Sequence, residues 1–119
     1  MQQLEQQLND IIAAHDATNP QLAAIKAEII KTKNAQLAYN YAMEFEDESS
    51  QLQKIVIKSQ NAHLIYLFAR DVFGADIEKL EKHIIELQDI QQMQNFADYV
   101  EGANRKKIVK KIKQLQEEV

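Results

Sequence analysis

The architecture follows from one segment, Asn61-Ala-His-Leu-Ile-Tyr-Leu-Phe-Ala-Arg-Asp-Val-Phe-Gly-Ala-Asp76. A related segment begins 28 residues later, Asp89-Ile-Gln-Gln-Met-Gln-Asn-Phe-Ala-Asp-Tyr-Val-Glu-Gly-Ala-Asn104, and shares the pattern Phe-Ala-x-x-Val-x-Gly-Ala-Asp/Asn. A copy that begins 27 residues earlier, at Asn34, and a weaker copy around Ile11 to Asp16 complete the series. Because self-similarity at a fixed period is typical of repeat proteins, we predict four units, at about 6–33, 34–60, 61–88 and 89–116.

Aligned units repeat the same residue type at corresponding positions. Four such columns are Ala14, Ala42, Ala69 and Ala97; Ile25, Leu52, Leu80 and Ile108; Ile29, Val56, Ile84 and Ile112; and Ala17, Phe45, Val72 and Val100. Within the third unit, apolar residues from Ile65 to Val72 follow helical spacing, and those from Ile77 to Leu87 do so again. Each unit therefore predicts two short helices, which the alanines allow to approach closely.

Glycine, proline and short polar residues mark the ends of the predicted helices. We expect Gly74 to close the first helix of its unit in the left-handed conformation, and Asp76 and Asn104 to cap the second helices. Asn19-Pro20 is expected to open the second helix of the first unit, since the fixed φ of proline suits a first turn.

Composition supports the same fold class. The chain has 119 residues, 45% of them apolar and 27% charged, which suits one globular domain over 1–119. Only two glycines and one proline are present, too few for the turns of an all-β fold. The sequence therefore predicts an all-α fold, an α-solenoid of four helical hairpins with eight short helices. The alternative is a compact helical bundle.

The chain also resembles short helical-hairpin repeats found in tandem in bacterial and phage proteins. The resemblance lies in Asn61-Ala62, Ile65-Tyr66, Phe68-Ala-Arg-Asp-Val72 and Gly74-Ala-Asp-Ile-Glu-Lys-Leu80, and it covers residues 34–116 better than the first unit. It implies a HEAT-like, superhelical scaffold and no particular activity, because repeat scaffolds host many functions. The unit at 34–60 departs from the pattern, since Asp47 stands in place of the glycine.

Residues with catalytic or metal-binding chemistry are few. The chain has no cysteine, and His15, His63 and His83 lack the spacing of known metal motifs, although His63 and His83 are expected on paired helices where they can approach each other. The acidic run Glu44, Glu46, Asp47 and Glu48 lacks the pattern of a calcium loop. No glycine-rich phosphate loop and no Gly-x-Ser-x-Gly elbow occurs. We therefore expect no catalytic residue, no metal and no cofactor.

A basic patch marks the last predicted helix, formed by Arg105, Lys106, Lys107, Lys110, Lys111 and Lys113. Residues 105–119 carry six positive and two negative side chains, a net of +4, whereas the rest carries eight positive and sixteen negative, a net of −8. Two interpretations stay open. The patch is either a docking surface for phosphates or an acidic protein, or the polar outer face of a terminal capping repeat, since Arg105 and Lys113 replace Ile77 and Ile85.

A row of side chains on the first helices of the middle units is a candidate partner-binding surface. Around Tyr66, the residues at helical spacing are His63, Arg70 and Phe73, and the preceding unit places Tyr39 and Met43 on the equivalent face. Tyrosine and arginine are enriched in binding hot spots. The alternative is that the tyrosines pack between units with their hydroxyls in water.

Function follows from these features only as an expectation. We expect a non-enzymatic protein-binding module, an adaptor or an inhibitor, and the phage-type resemblance favours an inhibitor of a host defence complex. The alternative is nucleic-acid or nucleoprotein binding through the basic last helix, which is weaker because the chain carries a net charge of −4. No signal peptide or membrane span is evident, so we expect a cytoplasmic monomer or homodimer that binds a protein and no membrane.

Overall fold

The computed structural model describes residues 2–14, 18–45 and 50–117. This part of the chain forms eight α-helices and no strand, which confirms the all-α fold class. The helices are α1 (Gln2–Ala13), α2 (Leu22–Thr32), α3 (Ala35–Phe45), α4 (Ser50–Lys58), α5 (Ala62–Asp71), α6 (Ile77–Leu87), α7 (Ile90–Tyr99) and α8 (Arg105–Glu117). Within the described ranges, none of them is long and apolar enough to cross a bilayer.

The helices form two layers. Each first helix (α1, α3, α5, α7) packs against the second helix that follows it (α2, α4, α6, α8). The first helices also pack along the chain, α1 on α3, α3 on α5 and α5 on α7, whereas successive second helices contact one another less. The molecule measures 51 × 24 × 21 Å with a Cα radius of gyration of 15.6 Å. A compact domain of this length has a radius of gyration of about 13.5 Å, so the pairs are stacked in an elongated array.

The repeat columns form the core between the layers. Both aliphatic columns of the second helices are buried in every unit, from Ile25 and Ile29 in α2 to Ile108 and Ile112 in α8. Ala42, Ala69 and Ala97 are also buried, but Ala14 is exposed just after α1. The first unit thus departs from the pattern in the alanine column, and its neighbours His15, Asp16 and Ala17 lie outside the described residues.

Three residues in the left-handed conformation end the repeat units. Lys33, Gln60 and Gln88 have φ angles of 57°, 56° and 58°, and each follows the last residues of a second helix. The next residue, Asn34, Asn61 or Asp89, caps the following first helix through its side-chain oxygen. Short polar side chains are the preferred N-caps because they accept an otherwise unpaired backbone N–H.

The turn inside the hairpin differs from the expectation for Gly74. α5 ends at Asp71, Val72 is extended, and the Val72 carbonyl accepts from the Ala75 N–H at 3.3 Å. With φ of 79°, Gly74 occupies the third position of a type II turn and is not the helix cap. Gly102, with φ of 88°, repeats this turn 28 residues later.

The N-caps predicted for the second helices are confirmed. Asp76 accepts from the Lys79 N–H at 3.1 Å, and Asn104 accepts from the Lys107 N–H at 3.2 Å. In the first unit, Asn19 accepts from the Gln21 N–H at 2.8 Å, but α2 begins at Leu22, so Pro20 precedes the helix and does not form its first turn. The corresponding turn of the second unit, with Asp47, lies outside the described residues.

Two buried polar side chains join successive units. The Gln53 side-chain oxygen in α4 accepts from the backbone N–H of Asp76 at 2.9 Å. Twenty-eight residues later, Glu81 in α6 accepts from the backbone N–H of Asn104 at 2.6 Å. Both side chains are less than one-tenth exposed, so the repeat preserves a hydrogen bond between a second helix and the next hairpin turn.

Candidate functional site

The predicted tyrosine row forms a hydrogen-bonded network across α3 and α5. Tyr39 donates from its hydroxyl to Asp71 Oδ2 at 2.5 Å, which joins two repeat units. Asp71 also receives two hydrogen bonds from Arg70, from Nε to Oδ1 at 2.7 Å and from Nη2 to Oδ2 at 2.9 Å. Arg70 Nη1 donates to the Tyr66 hydroxyl at 3.2 Å, and its guanidinium carbon lies 5.3 Å from the Tyr66 ring centre.

Burial limits what the two tyrosines offer to a partner. Tyr39 and Tyr66 are 7% and 4% exposed, so their rings pack between units. This agrees with the packing interpretation, although both hydroxyls are hydrogen-bonded to protein groups. Of the predicted row, His63, Arg70 and Met43 reach solvent on the helices, and the tyrosines hold Arg70 and Asp71 in position.

The pKa shifts at the site favour charged Arg70 and Asp71 side chains and a neutral Tyr39 hydroxyl. Burial, followed by the hydrogen bond to Asp71, raises the pKa of Tyr39 to about 12. The hydrogen bonds from Arg70 hold the pKa of Asp71 below its ordinary value, and Asp71 in turn raises the pKa of Arg70. Near neutral pH the site therefore presents an arginine whose guanidinium is held by a carboxylate on one side and a tyrosine on the other.

His63 extends the network toward α7. Its Nδ1 lies 3.2 Å from the Gln92 Oε1, and its ring centre lies 6.1 Å from that of Tyr66. His83 instead lies in the second layer, where its Nδ1 is 3.5 Å from the Glu86 Oε2. The two histidines therefore have different hydrogen-bond or ion-pair partners, in different layers of the stack.

The described residues form no candidate metal site. No three His, Asp or Glu side chains converge there as metal ligands. His15 and three members of the predicted acidic run, Glu46, Asp47 and Glu48, lie outside those ranges, whereas Glu44 lies near the end of α3.

Phe73 does not lie on the helical face where the sequence placed it. Because α5 ends at Asp71, Phe73 occupies the corner of the type II turn and is 75% exposed. It borders an open groove whose other lining residues include Arg70, Val72, Ile77 and Glu101. The expected helical spacing continued past the true end of the helix.

Large exposed apolar side chains gather along one edge of the stack. In the described chain they are Met43, Phe73 and Tyr99, which are 37%, 75% and 65% exposed. All three lie within two residues of the C-terminal ends of α3, α5 and α7. Those ends share an edge because the chain reverses at every helix. We call Met43, Arg70, Phe73 and Tyr99 the apolar edge.

Tyr99 was missed by the sequence reasoning, although a signal for it existed. In the repeat alignment Tyr99 corresponds to Asp71 in the third unit. An aromatic residue at a position where the preceding unit has a charged side chain marks an exposed apolar group. Asp71 itself had no such signal as the partner of Tyr39, because the two residues are 32 apart in sequence.

The basic patch is distributed around α8. Arg105 pairs with Asp98 of α7, and it is exposed where the aligned Ile77 is partly buried. Lys113 is likewise exposed where Ile85 is partly buried, a difference that fits the capping interpretation. Lys106, Lys107 and Lys110 are also exposed, while Lys111 is partly buried.

Comparisons with known proteins identify no relative. The chain matches no protein-family model, no curated protein and no solved structure.

Proposed function

We propose that this protein is a non-enzymatic protein-binding module, an adaptor or an inhibitor, that captures its partner with the apolar edge. The single observation that carries the proposal is the position of Met43, Phe73 and Tyr99, which line one edge of the stack around Arg70. Exposed apolar groups gathered in one place mark protein interaction sites, and aromatic residues and arginine supply most hot spots.

The network behind the edge supports this proposal. Arg70 is exposed but held by Asp71 and Tyr66, so little side-chain freedom remains to be lost when a partner binds. The stacked pairs make a rigid surface, and a HEAT-like repeat scaffold is the form we propose for it. Surface complementarity, without chemistry on the partner, is the mechanism.

The resemblance to bacterial and phage repeats extends the proposal to a class of partner. We propose an inhibitor of a host defence complex that acts in the cytoplasm, and this step rests on the resemblance alone. Both a monomer and a homodimer are compatible with it.

Capture of partners from the native host tests the proposal. The variant F73S/Y99S should lose at least about tenfold of the captured partner, because each side chain is mostly exposed and its loss leaves the core intact. R70A should also weaken capture. Y66A is a poor probe because the ring is buried, whereas Y66F removes only the hydroxyl.

The matched control is Q36A/Q91A, which alters two exposed residues at the opposite ends of α3 and α7. The control should retain the partner. If F73S/Y99S and Q36A/Q91A capture the same proteins in the same amounts while circular dichroism shows intact helices, the apolar edge is not the binding surface.

A further inference from the structure

Charge is divided between the two helix layers. The second helices, residues 22–32, 50–58, 77–87 and 105–117, carry twelve of the fourteen positive side chains and five negative ones, a net of +7. The first helices, residues 2–13, 35–45, 62–71 and 90–99, carry one positive and five negative side chains, a net of −4. The basic character thus extends well beyond the last helix.

The outward surface of the second helices presents an array of lysines. In the aligned units these positions lie on the side of the helix opposite the two buried aliphatic columns, and every one of the lysines is exposed. We call this array the lysine face: Lys31 of α2, Lys54 and Lys58 of α4, Lys79 and Lys82 of α6, and Lys106, Lys107 and Lys110 of α8. Lys54, Lys82 and Lys110 hold the same position in three successive units. Glu78 and Glu86 are the acidic side chains on this side of α6.

The lysine face is available to a ligand. Within the described chain, none of its eight ammonium groups has a carboxylate within 4.0 Å. Since the second helices pack loosely on one another, grooves open between them, and Lys54, Lys58, Lys79, Lys82 and Lys107 line these grooves. The acidic first-helix layer faces away, so a polyanion that approaches the protein is steered to the opposite side.

The chemistry of the lysine face fits phosphates better than a protein. Lysine binds phosphate as a compact charge, whereas it is depleted from the cores of protein interfaces. No aromatic residue lies in the second helices, since all eight occur in the first helices or the turn at 73. Without aromatic platforms, stacking of single-stranded bases is not provided. The long axis of 51 Å corresponds to about 15 base pairs of duplex.

We propose that the lysine face binds the phosphate backbone of double-stranded nucleic acid without reading its sequence. The surface is separate from the apolar edge, which lies on the first-helix layer. A protein partner on one layer and a duplex on the other can therefore be held at the same time.

Fluorescence anisotropy with a labelled duplex of about 20 base pairs tests the proposal, with DNA and RNA duplexes as separate arms. At low salt we expect a Kd of about 1–100 μM, and a logarithmic salt slope no steeper than about −7 for eight lysines. The double variant K54Q/K82Q, which lies entirely outside α8, should make the slope shallower by about 1.8. Glutamine keeps the helix propensity, so circular dichroism should be unchanged.

The matched control K111Q/K113Q removes the same charge from α8 away from the lysine face. A larger loss with the control than with K54Q/K82Q would assign binding to the last helix and overturn the lysine face. Absence of duplex binding at about 50 mM salt would also overturn it. So would equal binding of a single strand, or of polyglutamate, which would point to an acidic protein. A supporting result leaves partner capture by the apolar edge unchanged in K54Q/K82Q.

Discussion

Glu81 and Gln53 show how a buried polar residue serves the repeat. Both sit at the same position of successive second helices, and each accepts from the backbone N–H of the residue that caps the next second helix. Glutamine and glutamate offer the same side-chain carbonyl geometry, so what the position requires is an acceptor and not a charge.

Substitution of Glu81 separates the acceptor from the charge. We expect E81Q to change the free energy of unfolding by less than about 0.5 kcal/mol, because Gln53 already performs this role in α4. E81A should cost about 1–3 kcal/mol, since the Asn104 N–H loses its acceptor. Urea unfolding followed by circular dichroism measures both. Equal losses in the two variants would show that the carboxylate charge is what matters.

Tyr39 makes stability depend on alkaline pH. Its folded pKa of about 12 lies above the ordinary value of 10.0, so its contribution is fully present below pH 10 and is lost as pH rises through about 12. A rise of the pKa from 10.0 to about 12 corresponds to a loss on the order of 3 kcal/mol. Wild type should therefore lose stability in this window more steeply than Y39F, which has no titrating hydroxyl. Parallel pH profiles of the two proteins would contradict the raised pKa.

Asp71 acts at the opposite end of the pH scale. Arg70 lowers its pKa in the folded state, so its contribution is present above the unfolded pKa and fades as pH falls through the folded one. The Arg70–Asp71 ion pair joins two consecutive residues. Its effect is to fix the direction in which Arg70 points toward solvent.

At the scale of elements, the residues at the helix ends specify where one repeat unit ends and the next begins. Lys33, Gln60 and Gln88 adopt the left-handed conformation, in which a side chain with a Cβ is strained and glycine is not. None of the three is a glycine, and sequence patterns keyed to glycine therefore miss these ends. The N-caps that follow them, Asn34 and its equivalents, are readable because their side chains act locally.

Glycine at such a cap should stabilise the protein. We expect Q88G to raise the free energy of unfolding by about 0.5–1 kcal/mol, because the φ of 58° is unstrained for glycine. The matched control K82G, at an exposed position in the middle of α6, should lower it by a similar amount, since glycine weakens a helix. Thermal unfolding monitored at the helical signal measures both changes. A destabilised Q88G would show that the side chain of Gln88 makes a contribution larger than the strain.

The whole molecule is an elongated stack because its short helices bury their apolar faces mainly on sequence neighbours. The core columns of Leu52 and Val56 recur in each unit, and each pair covers the next. This arrangement leaves two broad surfaces of different charge and one apolar edge.

Small-angle scattering distinguishes the stack from a compact bundle. For a monomer we expect a radius of gyration near 15.6 Å or slightly larger from its hydration layer, and a maximum dimension of at least 51 Å. A value near 13.5 Å would favour the compact bundle. A doubled molecular mass would show a homodimer.

The sequence by itself determined the helices, their pairing into units and the aliphatic core, because caps and periodic apolar residues act over a few residues. The core positions predicted for Phe68, Leu80 and their equivalents in the other units are therefore correct.

Only the tertiary structure decided which surfaces are free. In the structure Tyr39 and Tyr66 are buried, α5 ends before Phe73, and Phe73 and Tyr99 lie on the same edge. It also gathered lysines from four helices onto one layer. These properties depend on contacts and faces contributed by segments about 30 residues apart, such as Tyr39 and Asp71 at a separation of 32. Local sequence patterns therefore do not predict these properties.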